Sequence, residues 1–372
     1  IVAQPKKSLK IDFGGNISTR PISNVFLGVQ YNYLNRRAYT FSSNFYSGRF
    51  YESVQLGGRI DFPSKLPLFL GGELTYNNWN YYNTSKIFVE NPSPVYIDQA
   101  DRKIDLKFGM PLNRNARIVA NAAFINNSDN YSPTGNFNVG DVLDKTIFNG
   151  FRTGITFEKN SLNRKQYATA GKNISLNINY TTGRENFYPG NIQTNSFGPS
   201  MAPNTKRNLR QWIQAKLSYE NYFLHTKRYS LGYLAEFVAS NQSLYSNYYS
   251  TLLASPAFYP LQDSRSSFLE NFRAFNYGAA GVKNIINLQR KFDLRVEGYV
   301  FLPYQEFKKV GLQQVGFEKA LSKWRYAGTA GLVYQSPLGP VSLSYNLYDD
   351  AKRKHGVLLH IGYLIYNKRS LE

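Results

Sequence analysis

Asn173-Ile174-Ser175-Leu176-Asn177-Ile178-Asn179-Tyr180-Thr181 is the stretch that decides the fold. Successive side chains of an extended strand point to opposite faces. Ile174, Leu176, Ile178 and Tyr180 therefore share one face, and Asn173, Ser175, Asn177 and Asn179 the other. The same alternation recurs at Ile104, Leu106, Phe108 and Met110, interleaved with Asp105 and Lys107. It returns at Phe292, Leu294 and Val296 against Asp293, Arg295 and Glu297, and at Val341, Leu343, Tyr345 and Leu347 against Ser342, Ser344 and Asn346. A half-exposed soluble sheet alternates in the same way. The connections between the segments separate the two readings.

Cutting the chain at its turn signals predicts sixteen strands: 8–17, 24–34, 39–49, 51–62, 68–78, 103–111, 116–126, 146–158, 172–182, 209–222, 228–240, 277–288, 291–302, 325–335, 340–348 and 356–366. Connections from even to odd strands are short: Asn35-Arg36-Arg37, Pro63-Ser64-Lys65, Asn113-Arg114-Asn115, His225-Thr226-Lys227, Gln289-Arg290 and Ser336-Pro337-Leu338-Gly339, with one longer stretch at 159–171. Connections from odd to even strands include 79–102, 127–145, 183–208, 241–276 and 303–324, rich in Asn, Ser, Pro and Tyr. A soluble sheet has no reason to sort its connections by parity, whereas an outer-membrane barrel has short periplasmic turns and long extracellular loops. The expected fold is thus all-β: a sixteen-stranded antiparallel transmembrane β-barrel in the bacterial outer membrane. Residues 1–7 read as a linker, 8–366 as the barrel and 367–372 as a C-terminal tail. No repeat or second domain stands out. An even strand number puts both ends of the barrel on the short-turn side.

Composition agrees. A single barrel absorbs the 372 residues at roughly 23 per strand and connection. The mean hydropathy of -0.43 is low because half the side chains of a barrel strand are polar. No run of about 18 apolar residues forms a spanning helix. Aromatics make up 16% of the chain, enough for two interfacial girdles. There is no Cys, so thiolate and disulfide chemistry are excluded. The formal charge of +20 fits nucleic acid, anionic lipid or an anionic cargo. Its dispersal among turns, and not along one face, argues against nucleic acid. Arg36, Arg37, Lys65, Arg114, Lys165, Lys227, Arg290 and Lys291 are expected to ring one rim and attract anionic head groups; the plainer reading is that they blunt the turns. Ile1-Val2-Ala3-Gln4 reads as the end of a signal peptide or part of a linker, and an exported barrel would make this a mature or truncated form.

Catalytic signals are weak. Gly198-Pro199-Ser200-Met201-Ala202 approaches the G-x-S-x-G nucleophile elbow, but it lacks the last Gly and lies in a Pro-rich loop with no helix after it. His225 falls in a turn, His355 at a strand start and His360 on the lumenal face of the last strand, as a satisfied polar residue more readily than a base. There is no metal-ligand spacing and no Gly-rich phosphate loop. No catalytic residue, metal or cofactor is expected in this segment.

Several stretches resemble the barrel of the BamA/TamA/two-partner-transporter superfamily. Phe272-Arg273-Ala274-Phe275 resembles the Val-Arg-Gly-Phe tip of that family's sixth external loop, with Phe272 and Ala274 as departures. Phe301-Leu302-Pro303 is similar to a family strand ending, and 163–171 to the turn before its ninth strand. Gly339-Pro340-Val341-Ser342-Leu343-Ser344-Tyr345 and Leu359-His360-Ile361-Gly362-Tyr363 resemble its last two strands. More narrowly, Phe13-Gly14-Gly15-Asn16-Ile17-Ser18-Thr19-Arg20-Pro21-Ile22 and Gly58-Arg59-Ile60-Asp61-Phe62-Pro63-Ser64-Lys65 are similar to the barrel of bacterial patatin-like phospholipases. That resemblance implies a lipase and a POTRA-type domain upstream of residue 1, with this chain as their anchoring or translocator barrel. The alternatives are a stand-alone insertase or transporter acting through the seam between first and last strands, and a passive porin. Outer-membrane lipid and an upstream domain or translocated polypeptide are the implied partners; oligomeric state is open.

The resemblance also implies that the 241–276 loop folds into the lumen as a plug. An inserted Arg273 would need an acceptor, since an unpaired charge there is costly. Parity turns Asp293, Arg295 and Glu297 inward, so Glu297 is the expected bidentate partner. The plainer alternative is a solvated loop arginine.

Overall fold

On the strand that carries Asn173–Thr181, the apolar set faces out and the polar set in. Leu176, Ile178 and Tyr180 are exposed, whereas Asn179 and Thr181 are 3% and 2% exposed. Ile104, Leu106 and Phe108 likewise lie outside, with Asp105 buried. Water outside would favour the reverse; a lipid exterior and a polar lumen favour this arrangement. The computed structural model describes residues 8–18, 23–48, 50–63, 66–82, 95–134, 140–190, 205–265, 267–289, 291–311, 314–350, 354–363 and 366–372.

The strands are β1 (Leu9–Ser18), β2 (Asn24–Leu34), β3 (Ala38–Gly48), β4 (Tyr51–Phe62), β5 (Leu68–Tyr82), β6 (Val95–Asn113), β7 (Ala116–Tyr131), β8 (Asp144–Asn160), β9 (Gly171–Tyr188), β10 (Lys206–His225), β11 (Tyr229–Ser240), β12 (Tyr277–Gln289), β13 (Phe292–Pro303), β14 (Phe307–Gly311), β15 (Gln314–Phe317), β16 (Arg325–Ser336), β17 (Gly339–Tyr348) and β18 (His355–Gly362). Sixteen of them close an antiparallel barrel in sequential order, with β13 pairing β16, while β14 and β15 form a separate hairpin in the connection between those two. β1 pairs with β18 over Gly14–Ser18 and so closes the sheet, as a lipid-embedded sheet requires. The sixteen-stranded antiparallel fold expected from the sequence is the fold observed.

The middle strands outrun their expected ends. β5 continues to Tyr82, β7 to Tyr131 and β9 to Tyr188, and β6 begins at Val95. These extensions carry Asn80, Asp98, Asn127, Asp129 and Asn130. Apolar alternation stops where hydrocarbon stops, but a backbone ladder needs only a neighbouring strand, so pairing continues past the membrane. The β14–β15 hairpin was not expected either. Its Phe307 and Phe317 pack on Phe275, 4.8 and 6.3 Å between ring centroids, which gives the hairpin an apolar seat.

The apolar core lies inside the barrel. Wall residues Tyr51, Trp79, Tyr81, Ile97, Tyr131 and Phe187 enclose Tyr249, Leu252, Leu253, Phe268 and Phe275 of the β11–β12 loop. Within that loop, α1 (Tyr248–Ala254) is followed by a 3-10 turn at Glu270–Phe272. Burying side chains such as Leu252 and Leu253 stabilises by about 1.5–3 kcal/mol each. The loop therefore packs against lumen-facing residues of the wall.

Candidate functional site: a filled lumen and a short seam

The loop is held from both ends of α1. Asn247 caps the helix, accepting from the Ser250 N–H at 2.9 Å, while its own N–H donates to Ser250 Oγ at 3.1 Å. Asn247 also accepts from Tyr131 Oη at 3.0 Å and donates to Asp144 at 3.3 Å, which ties the cap to β7 and β8. At the other end, helix carbonyls lose their intrahelical partners and carry partial negative charge. Arg273 Nη1 donates to the Leu252 carbonyl at 3.1 Å, Arg369 Nη2 to that of Leu253 at 2.6 Å and Gln242 Nε2 to that of Ala254 at 3.4 Å.

The four residues of the expected loop tip are all buried. Phe272 packs against Phe301 and Tyr348, 5.7 and 6.1 Å between centroids, and Ala274 has no exposed surface. Arg273 sits 4.8 Å from the Phe268 ring centroid. The expected partnership with Glu297 is corrected here. Glu297 accepts from Arg295 Nε at 2.8 Å and from Tyr299 Oη at 2.5 Å. Arg295 shares its strand and its face two residues away, so it reaches Glu297 without crossing the lumen. Arg273 is instead drawn to the electronegative end of α1.

Residues 367–372, expected only as a tail, turn into the lumen. Asn367 Nδ2 donates to Ser53 Oγ at 2.7 Å, and Tyr366 packs on Tyr46 and Tyr51. The Ser370 N–H donates to Asp101 at 2.8 Å, Ser370 Oγ to Asn127 at 2.7 Å, and Arg152 to the Ser370 carbonyl at 2.9 Å. Arg265 of the loop pairs with Glu372 at 2.9 Å. Burial opposes ionisation of Glu372, but Arg265 and Arg369 outweigh it and hold its carboxyl well below the usual range. The segment thus stitches loop to wall. Nothing in its composition distinguishes it from a solvated tail.

At the short-turn end, the 161–170 turn also bends inward. Asn163 accepts from the N–H groups of Thr169 and Ala170 and donates to Thr169 Oγ1. Tyr167 has a φ of 54°. Left-handed backbone costs a side-chain-bearing residue roughly 1–2 kcal/mol, so the tyrosine must be held there by contacts. Arg164 pairs with Asp293 at 2.8 Å, and Arg295 donates to the Ala168 carbonyl at 3.0 Å. Between this turn and the loop lies a cavity of about 190 Å³, lined by Glu220, Tyr222, Lys283, Glu297 and Tyr299 among others. Its charges are matched in pairs, Lys283 with Glu220 at 2.6 Å and Arg295 with Glu297.

The seam is short. β1 joins β18 from Gly14↔Gly362 to Ser18↔Leu358, whereas β9 pairs β10 from Gly171↔Tyr222 to Phe187↔Lys206. The zipper ends where Gly362 adopts a φ of +77° and the Tyr363 N–H donates to the Phe13 carbonyl at 3.2 Å. A Cβ at Gly362 would lie 2.3 Å from that carbonyl, and one at Gly14 only 2.1 Å from the Tyr363 carbonyl, so both positions require glycine. Among the described residues, Leu9–Asp12 pair only with β2.

Arg36, Arg37, Arg114, Lys165, Lys227 and Lys291 all fall in or beside short turns at one end of the barrel. Lys65 and Arg290 lie outside the described residues, as do the 1–7 linker and Gly198–Ala202. Lys165 differs from its neighbours, pairing with Asp12 of β1 at 3.1 Å. His360 is fully buried on the lumenal face, 3.1 Å from Tyr167 Oη. Among the described residues no group of three His, Asp or Glu side chains is arranged to hold a metal. The sequence reading missed Tyr167, Arg369 and Arg265. Two signals pointed to the turn, the unusual length of the 159–171 connection among short turns and the resemblance of 163–171 to a family turn.

The sixteen-stranded antiparallel barrel is similar in fold to barrels of known structure. The BamA of Haemophilus ducreyi lacking POTRA domains 1–3 superimposes with a TM-score of 0.59 at 14% identity, over 97% of this chain and 71% of that one. CdiB from Acinetobacter baumannii gives 0.51 at 9% identity, and CdiB from Escherichia coli 0.50 at 12%, each over 97% of this chain. The chain spans 61% and 64% of those two proteins. No protein-family model and no curated protein matches the sequence. The likeness is one of fold.

Proposed function

We propose that this chain is an outer-membrane translocator or insertase barrel that handles polypeptide at the β1–β18 seam. In the finer form that the first-strand and β4 motifs suggest, it anchors or passes a patatin-like lipase domain preceding residue 1. The observation that carries the reading is the seam, zipped among the described residues only over Gly14–Ser18, with side chains of the loop packed on lumen-facing wall residues. A strand edge with unpaired backbone groups is a template for another strand. A filled lumen disfavours a passive pore.

The absence of cysteine makes the test clean. Ile17→Cys with Leu359→Cys places two thiols on a register pair of the seam. In proteoliposomes, oxidation should abolish insertion or translocation of a supplied outer-membrane polypeptide, and reduction should restore it. Equal activity in both states would remove the seam from the mechanism. Sustained porin-size conductance in planar bilayers would favour a channel.

A further inference from the structure

We propose that the 161–170 turn is a latch that holds the seam shut from inside. The turn joins β8 to β9, which lie half-way round the closed strand order from β1 and β18. A turn has no local reason to touch strands so far away, yet two of its side chains grip both sides of the seam. Lys165 Nζ lies 3.1 Å from Asp12 Oδ2 on β1, where Lys10 also pairs at 2.9 Å, and 5.3 Å from the Tyr363 ring centroid. Tyr167 Oη lies 2.7 Å from Ser342 Oγ on β17 and 3.1 Å from His360 Nδ1 on β18.

The rest of the turn braces this reach. Arg164 pairs with Asp293 of β13, Arg295 of β13 donates to the Ala168 carbonyl, and Gln166 donates to Gln262 of the inserted loop at 2.8 Å. Asn163 fixes the turn internally, and the left-handed Tyr167 aims its ring at the seam. The position of the grip is informative. Backbone pairing stops at Phe13 and Gly362, and the Lys165–Asp12 pair lies immediately beyond it. Side chains from the far wall thus take over where the zipper ends. Opening the seam from this rim requires the turn to withdraw, which gives anything bound at the rim a handle on the seam.

The biological consequence rests on the proposed function, but the latch is tested without cargo. Backbone hydrogen exchange is measured on the full chain in lipid nanodiscs, comparing the native sequence with Lys165→Gln, Tyr167→Phe and the double variant. Amides of 14–18 and 358–362 should exchange about tenfold faster in the double variant, with β9–β10 amides unchanged. Lys165→Gln should act in the same direction even if Tyr167→Phe impairs folding, because Lys165 is half exposed. Seam amides that stay unchanged, or accelerate no more than those of β9–β10, would overturn the latch. An oxidised seam that still translocates would refute the proposed function and leave this result standing.

Discussion

Arg273 shows how a lumenal charge finds its place. Sequence parity correctly turns Glu297 inward, and a buried guanidinium does need acceptors. Yet the partner is a backbone carbonyl of α1, because Arg295 already occupies Glu297 from the same strand face. Helix α1 could not be inferred from strand periodicity, so neither could its carbonyls. Arg273→Ala should strip the Leu252 carbonyl of its charged donor and loosen the loop by about 1–3 kcal/mol, seen as faster proteolysis within 241–276. Combined with Glu297→Gln, the effects should add to within about 0.5 kcal/mol, since the two residues share no partner. A strong coupling would reinstate the direct pair.

At the scale of elements, the 366–372 segment differs most from expectation. It reads as a polar tail, but Asn367, Ser370 and Glu372 meet lumenal partners contributed by β3, β4, β6, β7 or the loop. The Arg265–Glu372 pair makes its seating pH-dependent. The folded carboxyl is held below its ordinary value near 4.5, so its contribution is fully present above that pH and is lost as pH falls through the folded value. A spin label at Lys368→Cys should therefore be immobile at pH 7 and gain mobility progressively below about pH 4.5. Glu372→Gln should be mobile already at pH 7 and lose most of the pH response. Identical spectra for the two proteins would show that the ion pair does not hold the tail. Strand ends were misread for a related reason: hydropathy marks the membrane boundary and not the end of backbone pairing.

At the scale of the whole molecule, topology gathers Arg36, Arg37, Arg114, Lys227 and Lys291 at one rim, although they are far apart in sequence. Near an anionic surface each such cation is worth about 1 kcal/mol. Charge reversal of Arg36, Arg37, Arg114 and Lys227 together should weaken insertion into anionic vesicles and spare neutral ones. Equal loss on both would assign these residues to turn geometry or solubility. Lys165 does not belong to this set, since its ammonium is committed to Asp12.

By itself the sequence determined the strand number, the parity of each side chain and the sorting of short turns from long loops. These follow from a local rule: each strand meets lipid on one face and lumen on the other, so a period of two is written into every segment independently. Only the tertiary structure decided what fills the lumen and how the seam is held. Sixteen inward faces, a helix, a tail and a turn converge on one interior. Which pairs form there depends on distances across the barrel, such as Lys165 to Asp12, that no local pattern records.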